Sequence, residues 1–355
     1  MLNKLWNSKK LLFILLINLF ILESISRILL YQTHLVDDYL QWGSTSWKIR
    51  WLKRNNSEHV DQLLKYEEFD KILGWKPKKN FKRFDKDSSL IISTDQNGFR
   101  TTSLDKASKA IGSILFIGDS YTFGDEVSDQ ESFPFLVQSS LQNYKVYNLG
   151  VRGYGLDQIL LRYRRYKDKF THKIVVLGFV YDDLLRNGLS FREYIKPFFT
   201  FENGSLVLNN SPVLEFEHYK KEEFFHSKFI DIVEVLLESY DMRTGQYFNR
   251  PIDISKKILS TLVDEIREQN AVPLFVYLPT STEATRTKEK PSRWEKLMFE
   301  FCEIKSVDCI SASSGFVDAT VNQKLKFPIN SHWLFEGHKI VSDLIINKIQ
   351  EIEGL

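Results

Sequence analysis

The chain of 355 residues has little of several things, and each shortage excludes something. Cysteine occurs only at Cys302 and Cys309, too seldom for a disulfide framework and without the spacing of a metal site. The two either pair, if the chain is exported, or are ordinary buried thiols, and buried thiols are the expectation. Excess charge is missing: 48 basic against 46 acidic residues leave +2, which gives no reason to expect nucleic acid as a partner. No His, Cys and acid cluster has metal spacing, and no glycine motif cradles a phosphate, so no cofactor is expected. Internal repeats and low-complexity tracts are missing too. Aromatic residues are not: 27 Phe, 15 Tyr and 7 Trp supply ample material for a packed core.

The N-terminus carries a long apolar run. Lys4, Lys9 and Lys10 precede Leu11 to Leu22, and apolar character resumes at Ile25 and continues to Leu30. That is about 20 residues, enough to cross a bilayer as a helix. Glu23 and Arg27 interrupt the outer half, at a spacing that lets them pair on one helix face near the headgroups. Positive charge before the run and Asp37 and Asp38 after it favour an internal N-terminus and an external globular part. No small-x-small cleavage site comes after it. Residues 1–10 are therefore expected to be a cytoplasmic stub and 11–31 an uncleaved signal anchor, with a cleaved signal peptide and a buried core helix as rivals.

Residues 32–110 are mixed and are expected to pack on residues 111–355 as a membrane-proximal prelude. Gln41 to Lys53 and Glu58 to Phe69 read as helical, and the lysine-rich stretch between Leu73–Pro77 and Leu90–Thr94 reads as a solvated hairpin. Asn97-Gly98 is a turn signal. From residue 111 the alternation becomes regular. Apolar strand runs at Ile114–Ile117, Val146–Leu149, Ile174–Phe179 and Val272–Leu278 are separated by helical patterns at Glu131–Leu141, Leu156–Lys169 and Ile254–Gln269. A further helix (Ser292–Ile304), a weak strand near Val307–Ile310 and a terminal helix (Glu336–Ile349) complete a parallel α/β sheet covered on both faces. An insertion at about 190–251 breaks the rhythm. It holds a hairpin signal at Asn203-Gly204 and an amphipathic helix over His226–Tyr240, and is expected over the site as a lid or specificity element.

Four stretches place chemistry at one end of this sheet. Gly118-Asp119-Ser120 follows the first strand, where a serine hydroxyl stands exposed near backbone N–H groups. Asn148 to Gly155 follows the second, with glycines that let N–H groups approach a substrate. Gly178 to Asp183 follows the third, and His332 lies just before the last helix. His338 is expected to cap or pack at that helix start; His172, His218 and His226 are expected at the surface.

The order and wording of these blocks resemble the SGNH hydrolases, also called GDSL-like esterases and lipases. The resemblance starts at Leu73-Gly74-Trp75 and Asn97-Gly98-Phe99-Arg100, a prelude like that of membrane-anchored members. It continues through Gly118 to Gly124, Asn148 to Gln158 and Gly178 to Asn187, and ends at His332-Trp333 and Gly337-His338. It implies a three-layer, flavodoxin-like α/β fold and acyl-ester hydrolysis or transfer. Ser120 stands at the nucleophile position and His332 at the general-base position. The backbone N–H groups of Ser120 and Gly153 stand at oxyanion-donor positions, and Asp119 is expected to order the turn. Two positions depart from the pattern. Asp182 occupies the third oxyanion position, where asparagine is usual. Asn330 and Ile329 stand where the histidine-orienting acid is expected, so Asn330 is the possible orienting residue, through its amide oxygen, unless a distant acid serves. Two function classes stay open: an anchored, external esterase acting on an O-acyl group of a surface carbohydrate, and a catalytically silent binding module of the same fold.

Overall fold

The computed structural model describes residues 2–32, 34, 36–40, 43–56, 66–85, 90–103, 110–284, 291–321 and 332–354. Helix α1 (Leu2–Tyr31) contains the apolar run. Helix α2 (Ser44–Asn56) comes next, then two antiparallel hairpins: β1 (Glu67–Asp70) with β2 (Gly74–Pro77), and β3 (Lys82–Asp85) with β4 (Leu90–Ser93). Of the helix expected over Glu58–Phe69, the part up to residue 65 lies outside the described residues, and Glu67–Phe69 is strand. The antiparallel pairing of β1 with β2, which sets Glu67 opposite Pro77 and Phe69 opposite Trp75, outweighs the helical propensity of its glutamates.

The central sheet has five parallel strands: β5 (Gly112–Ile117), β6 (Tyr144–Asn148), β7 (His172–Phe179), β10 (Val272–Tyr277) and β11 (Asp308–Ser311). Their order in space is β6-β5-β7-β10-β11. That is the doubly wound order two-one-three-four-five, whose switch point lies between the first and third strands. Strand residues alternate between faces. Leu115, Ile117, Val175 and Leu177 bury against α5 (Leu156–Tyr166), α9 (Ile252–Glu268) and α10 (Arg293–Lys305). Ile114, Phe116, Val176 and Val276 bury on the other side, against α4 (Phe133–Ser140), α11 (Ser313–Val321) and α12 (Phe335–Glu353). Both faces are apolar, which is why the strands read as continuous hydrophobic runs. On α12, Val341, Ile345 and Ile349 line one stripe, and burying each fully stabilises the fold by about 1.5–3 kcal/mol.

The insertion contains the expected hairpin, β8 (Phe198–Glu202) and β9 (Ser205–Asn209), turned by Asn203 and Gly204, both at positive φ. Helices α7 (Phe216–Phe225) and α8 (Lys228–Thr244) come after it. The insertion is not a lid as a whole: Arg192 and Glu193 reach the cavity at the carboxyl end of the sheet, whereas α8 packs against α1 and α2. Two further expectations are corrected. Cys302 and Cys309 form a disulfide rather than standing as thiols, with Cα atoms 6.3 Å apart. His172 is buried, because β7 begins inside the sheet, and its Nε2 lies 3.1 Å from the Tyr163 hydroxyl. His218 is exposed and His226 half-buried beside Asp231. His338 packs as expected, its Nδ1 accepting from the Phe133 N–H at 3.2 Å.

Candidate active site

Strand β5 ends at the switch point and turns through Gly118-Asp119 into a single helical turn, α3 (Ser120–Phe123). Asp119 orders that turn: one carboxylate oxygen accepts from the Tyr121 N–H at 2.9 Å and the other from Arg186 Nη1 at 2.8 Å. The Ser120 side chain is thereby aimed into a cavity of about 480 Å³ at the carboxyl ends of β5, β6 and β7. His332 reaches the same cavity from the other end of the chain. Its neighbour Trp333 is fully buried and donates to the Pro279 carbonyl at 3.0 Å, and the Tyr121 ring lies 4.6 Å from the imidazole. The outcome is a contact across 212 residues of sequence: Ser120 Oγ and His332 Nε2 stand 2.9 Å apart.

Asn330 and Ile329 lie outside the described residues. A different acid faces the second ring nitrogen. Glu126 Oε1 stands 3.6 Å from His332 Nδ1, an ion-pair distance slightly too long for a hydrogen bond, and no hydrogen-bond partner among the described residues meets that nitrogen. Burial works against the imidazolium, but Glu126, with Asp125 and Asp119 nearby, more than offsets it and holds the ring above its ordinary pKa. Sequence reasoning missed Glu126, since nothing local marks it. It occupies the left-handed region at φ 66°, a conformation that costs a non-glycine residue roughly 1–2 kcal/mol. The surrounding loop is what holds it there. Arg100, fully buried, donates to the carbonyls of Gly124 (3.0 Å) and Val127 (2.7 Å) and pairs with Asp129 at 2.6 Å. The Asn97–Arg100 block therefore clasps the loop that presents the acid.

The Leu73–Trp75 block has a matching task on the other wall. Trp75 Nε1 donates to the Arg152 carbonyl at 2.9 Å, and the Tyr154 hydroxyl donates back to the Trp75 carbonyl. Gly153, held between them at φ 72°, points its backbone at the cavity; this is a conformation glycine alone takes without cost. Gly150 must be glycine for a different reason: a Cβ there would lie 2.4 Å from the Phe123 nitrogen. The N–H groups of Ser120 and Gly153 take no hydrogen-bond partner among the described residues.

Asp182 lies on the cavity wall at the start of α6 (Tyr181–Arg186). Its setting is more ionic than the apolar neighbours in sequence suggest. Arg186 is surrounded by three carboxyl groups: Asp119 at 2.8 Å, Asp183 at 3.1 Å and Asp182 at 3.6 Å. One guanidinium cannot neutralise three carboxylates in a buried site. Burial, reinforced by Asp119, drives Asp183 well above the usual carboxylate range, and burial raises Asp182 despite the pull of Arg186. Arg186 itself is held more firmly charged by the three acids, although burial opposes its charge. Arg152, Arg192 and Glu67 complete a strongly polar wall, and burial pushes the Glu67 carboxyl up to about 8. Among the described residues, no group of three His, Cys, Asp or Glu has the geometry to hold a metal.

No family model matches the sequence, and no curated protein matches it. Among solved structures, the chain is similar to the psychrotrophic esterase EstA from Pseudoalteromonas sp., at 12% identity, with 69% of this chain and 100% of that one covered and a TM-score of 0.42. It is similar to a member of the lipolytic protein G-D-S-L family from Veillonella parvula at 10% identity, with 66% and 96% covered and a TM-score of 0.39. It is similar to the acetyl xylan esterase AlAXEase at 12% identity, with 67% and 99% covered and a TM-score of 0.41. On its own geometry, with strands in the order two-one-three-four-five, a serine after the first and a histidine before the last helix meeting it, the chain has a three-layer, doubly wound α/β fold, the one that the resemblance to the SGNH hydrolases implies.

Proposed function

We propose that the chain is a membrane-anchored serine esterase of the SGNH type, acting outside the membrane on an acyl ester. The observation that carries this reading is the 2.9 Å contact between Ser120 Oγ and His332 Nε2 in a polar cavity. In the reaction, His332 takes the Ser120 proton as the oxygen attacks the acyl carbonyl. The backbone N–H groups of Ser120 and Gly153 receive the developing oxyanion, and a protonated Asp182 adds a third donor. Glu126 orients the imidazole and stabilises its cation; its contact shortens when the cation forms, as catalytic hydrogen bonds commonly do. Collapse of the tetrahedral intermediate breaks the acyl C–O bond as the imidazolium gives its proton to the departing alcohol; water or a second alcohol, deprotonated by His332, then attacks the acyl-serine, and the imidazolium returns that proton to Ser120 Oγ.

The acid, base and cation side chains on the cavity wall suit a hydroxylated alcohol portion, which favours an O-acyl group on a surface carbohydrate. Helix α1, apolar and exposed from Leu11 to Leu22 and preceded by lysines, supports a signal anchor with the domain outside. The bonded Cys302–Cys309 pair fits an oxidising compartment. A fluorophosphonate probe on the full chain tests the core of the proposal: it should label wild type and fail on Ser120→Ala. A folded wild-type chain that takes no label would assign the fold to a silent binding module instead. Release of acetate from an O-acetylated polysaccharide in preference to hydrolysis of a long-chain ester would support the substrate class.

A further inference from the structure

Helix α8 is built inside out. Its inner face carries charge: Lys228 and Asp231 are buried with Lys48 and Glu223, the Glu234 carboxylate accepts from the Thr45 hydroxyl at 2.6 Å, and Glu238 accepts from the Ser46 N–H at 2.9 Å. Its outer face is apolar. Phe229, Ile230, Val233 and Leu237 recur at helical spacing on the exposed side, with Leu237 60% exposed. Just before the helix, at the end of α7, Phe224 and Phe225 are 68% and 85% exposed. Contiguous apolar surface of this kind marks an interaction site rather than a solvated face.

The anchor helix says what covers it. Every residue from Lys9 to Leu22 is exposed, but from Glu23 onward α1 is docked on α8. Glu23 accepts from the N–H groups of Lys228 and Phe229, Arg27 donates to the Phe224 carbonyl, and Leu30 packs with Val235. Because Glu23 meets Lys228 and Leu30 meets Val235, the two helices run side by side in the same direction. The uncovered apolar stretch Leu11–Leu22 spans only about 18 Å at 1.5 Å per residue, against a hydrocarbon thickness of about 30 Å. Residues 23–30 supply the missing length of about 12 Å, which sets Glu23 and Arg27, paired at 2.9 Å, below the headgroup level that the sequence suggested, and at that depth α8 and the end of α7 lie beside them.

We propose, building on the reading of α1 as an anchor, that the exposed face of α8 together with Phe224 and Phe225 is seated in the outer leaflet of the bilayer that α1 crosses. The inverted pattern then has a physical reason: apolar side chains face lipid, while the charges are paired inward against α2. The domain is fixed to the membrane by two adjoining elements rather than tethered by one helix. The end of α7 and the start of α8, level with Glu23 and Arg27, are the deeper part, and Leu237, level with the end of α1, lies near the headgroups.

The test uses the full chain in phosphatidylcholine vesicles with a nitroxide on one introduced cysteine, the native pair being tied to each other. Labels go at Phe225→Cys, Ile230→Cys and Leu237→Cys, with Leu16→Cys reporting the anchor and Ser205→Cys the aqueous surface. Collision with oxygen should exceed collision with a nickel chelate at Phe225 and Ile230, as at Leu16, the preference falling from Phe225 to Leu237 and reversing at Ser205. Nickel-dominated collision at Phe225 and Ile230, with Leu16 still oxygen-dominated, overturns the seat and leaves the anchor standing. Nickel-dominated collision at Leu16 overturns the anchor and the seat with it. Protection from both reagents with dipolar broadening shows a second copy on this face and also overturns the proposal. Labelling of each variant by the fluorophosphonate probe shows that it is folded.

Discussion

Glu126→Gln is the most informative single change, because it removes a charge and leaves the shape of the loop. At 3.6 Å, a full ion pair is worth about 4.6 kcal/mol at an effective dielectric of about 20 and about 1.2 kcal/mol in bulk water. Glu126 is 34% exposed and His332 17%, so solvent screens the pair toward the lower figure. The expected loss is about 1–3 kcal/mol, or roughly 5–150-fold in kcat/KM. That is smaller than the roughly 10⁴-fold loss when a fully buried triad aspartate is neutralised. The pH profile gives a second, independent signature. Glu126 raises the pKa of His332, so its removal lowers that pKa and moves the acid limb to lower pH, and the deficit narrows as pH falls. Stability moves with the same linkage. A histidine whose folded pKa lies above its unfolded value of about 6.5 stabilises the fold below that pH and ceases to as pH rises through the folded value. Glu126→Gln should therefore lower the Tm more at about pH 5.5 than at about pH 9. The assay is hydrolysis of p-nitrophenyl acetate by the full chain in detergent across pH, with a melting curve at each end. A variant with wild-type rate and an unmoved acid limb would refute the assignment of Glu126 to His332.

Ser120→Ala and His332→Ala should each cut turnover of the same ester by several orders of magnitude, with the double variant little worse than either, since the two act as a unit; near-normal turnover in either would end the dyad. Asp182→Asn should keep or raise activity above neutral pH and abolish a basic limb in the pH–rate profile, because a carboxylate about 4 Å from an oxyanion costs on the order of 4 kcal/mol at a dielectric of 20. A folded Asp182→Asn chain dead at every pH would show that the carboxylate has another task. Arg100→Met should destabilise the fold by about 3–5 kcal/mol in urea unfolding, since it strands Asp129 inside without its partner. The folded fraction of that variant should also show the loss of Glu126 as a lower acid limb, which a purely structural role for Arg100 would not produce.

Local pattern alone determined the parallel sheet, because strands buried on both faces must be apolar throughout and helices between them must carry a stripe. It likewise determined Asn203-Gly204 as a turn, Ser120 as the residue at the end of the first strand, and the apolar length of α1. Each of these depends on neighbours within a few positions. Long-range packing decided the rest. Glu67–Asp70 became a strand because Gly74–Pro77 pairs with it. Glu126 became the partner of His332 because Arg100 clasps its loop from 26 positions away, in a left-handed conformation that sequence does not announce. Asp182 has apolar neighbours in sequence, Phe179, Val180, Tyr181 and Leu184, yet sits beside Arg186 in space, because a helix brings positions four apart onto one face. The outward apolar face of α8 was readable as amphipathic, but which face turned inward was settled only when Lys48, Thr45 and Ser46 met its charges. A helix pattern fixes that two faces differ; the partner against which it packs fixes which of them is the inside.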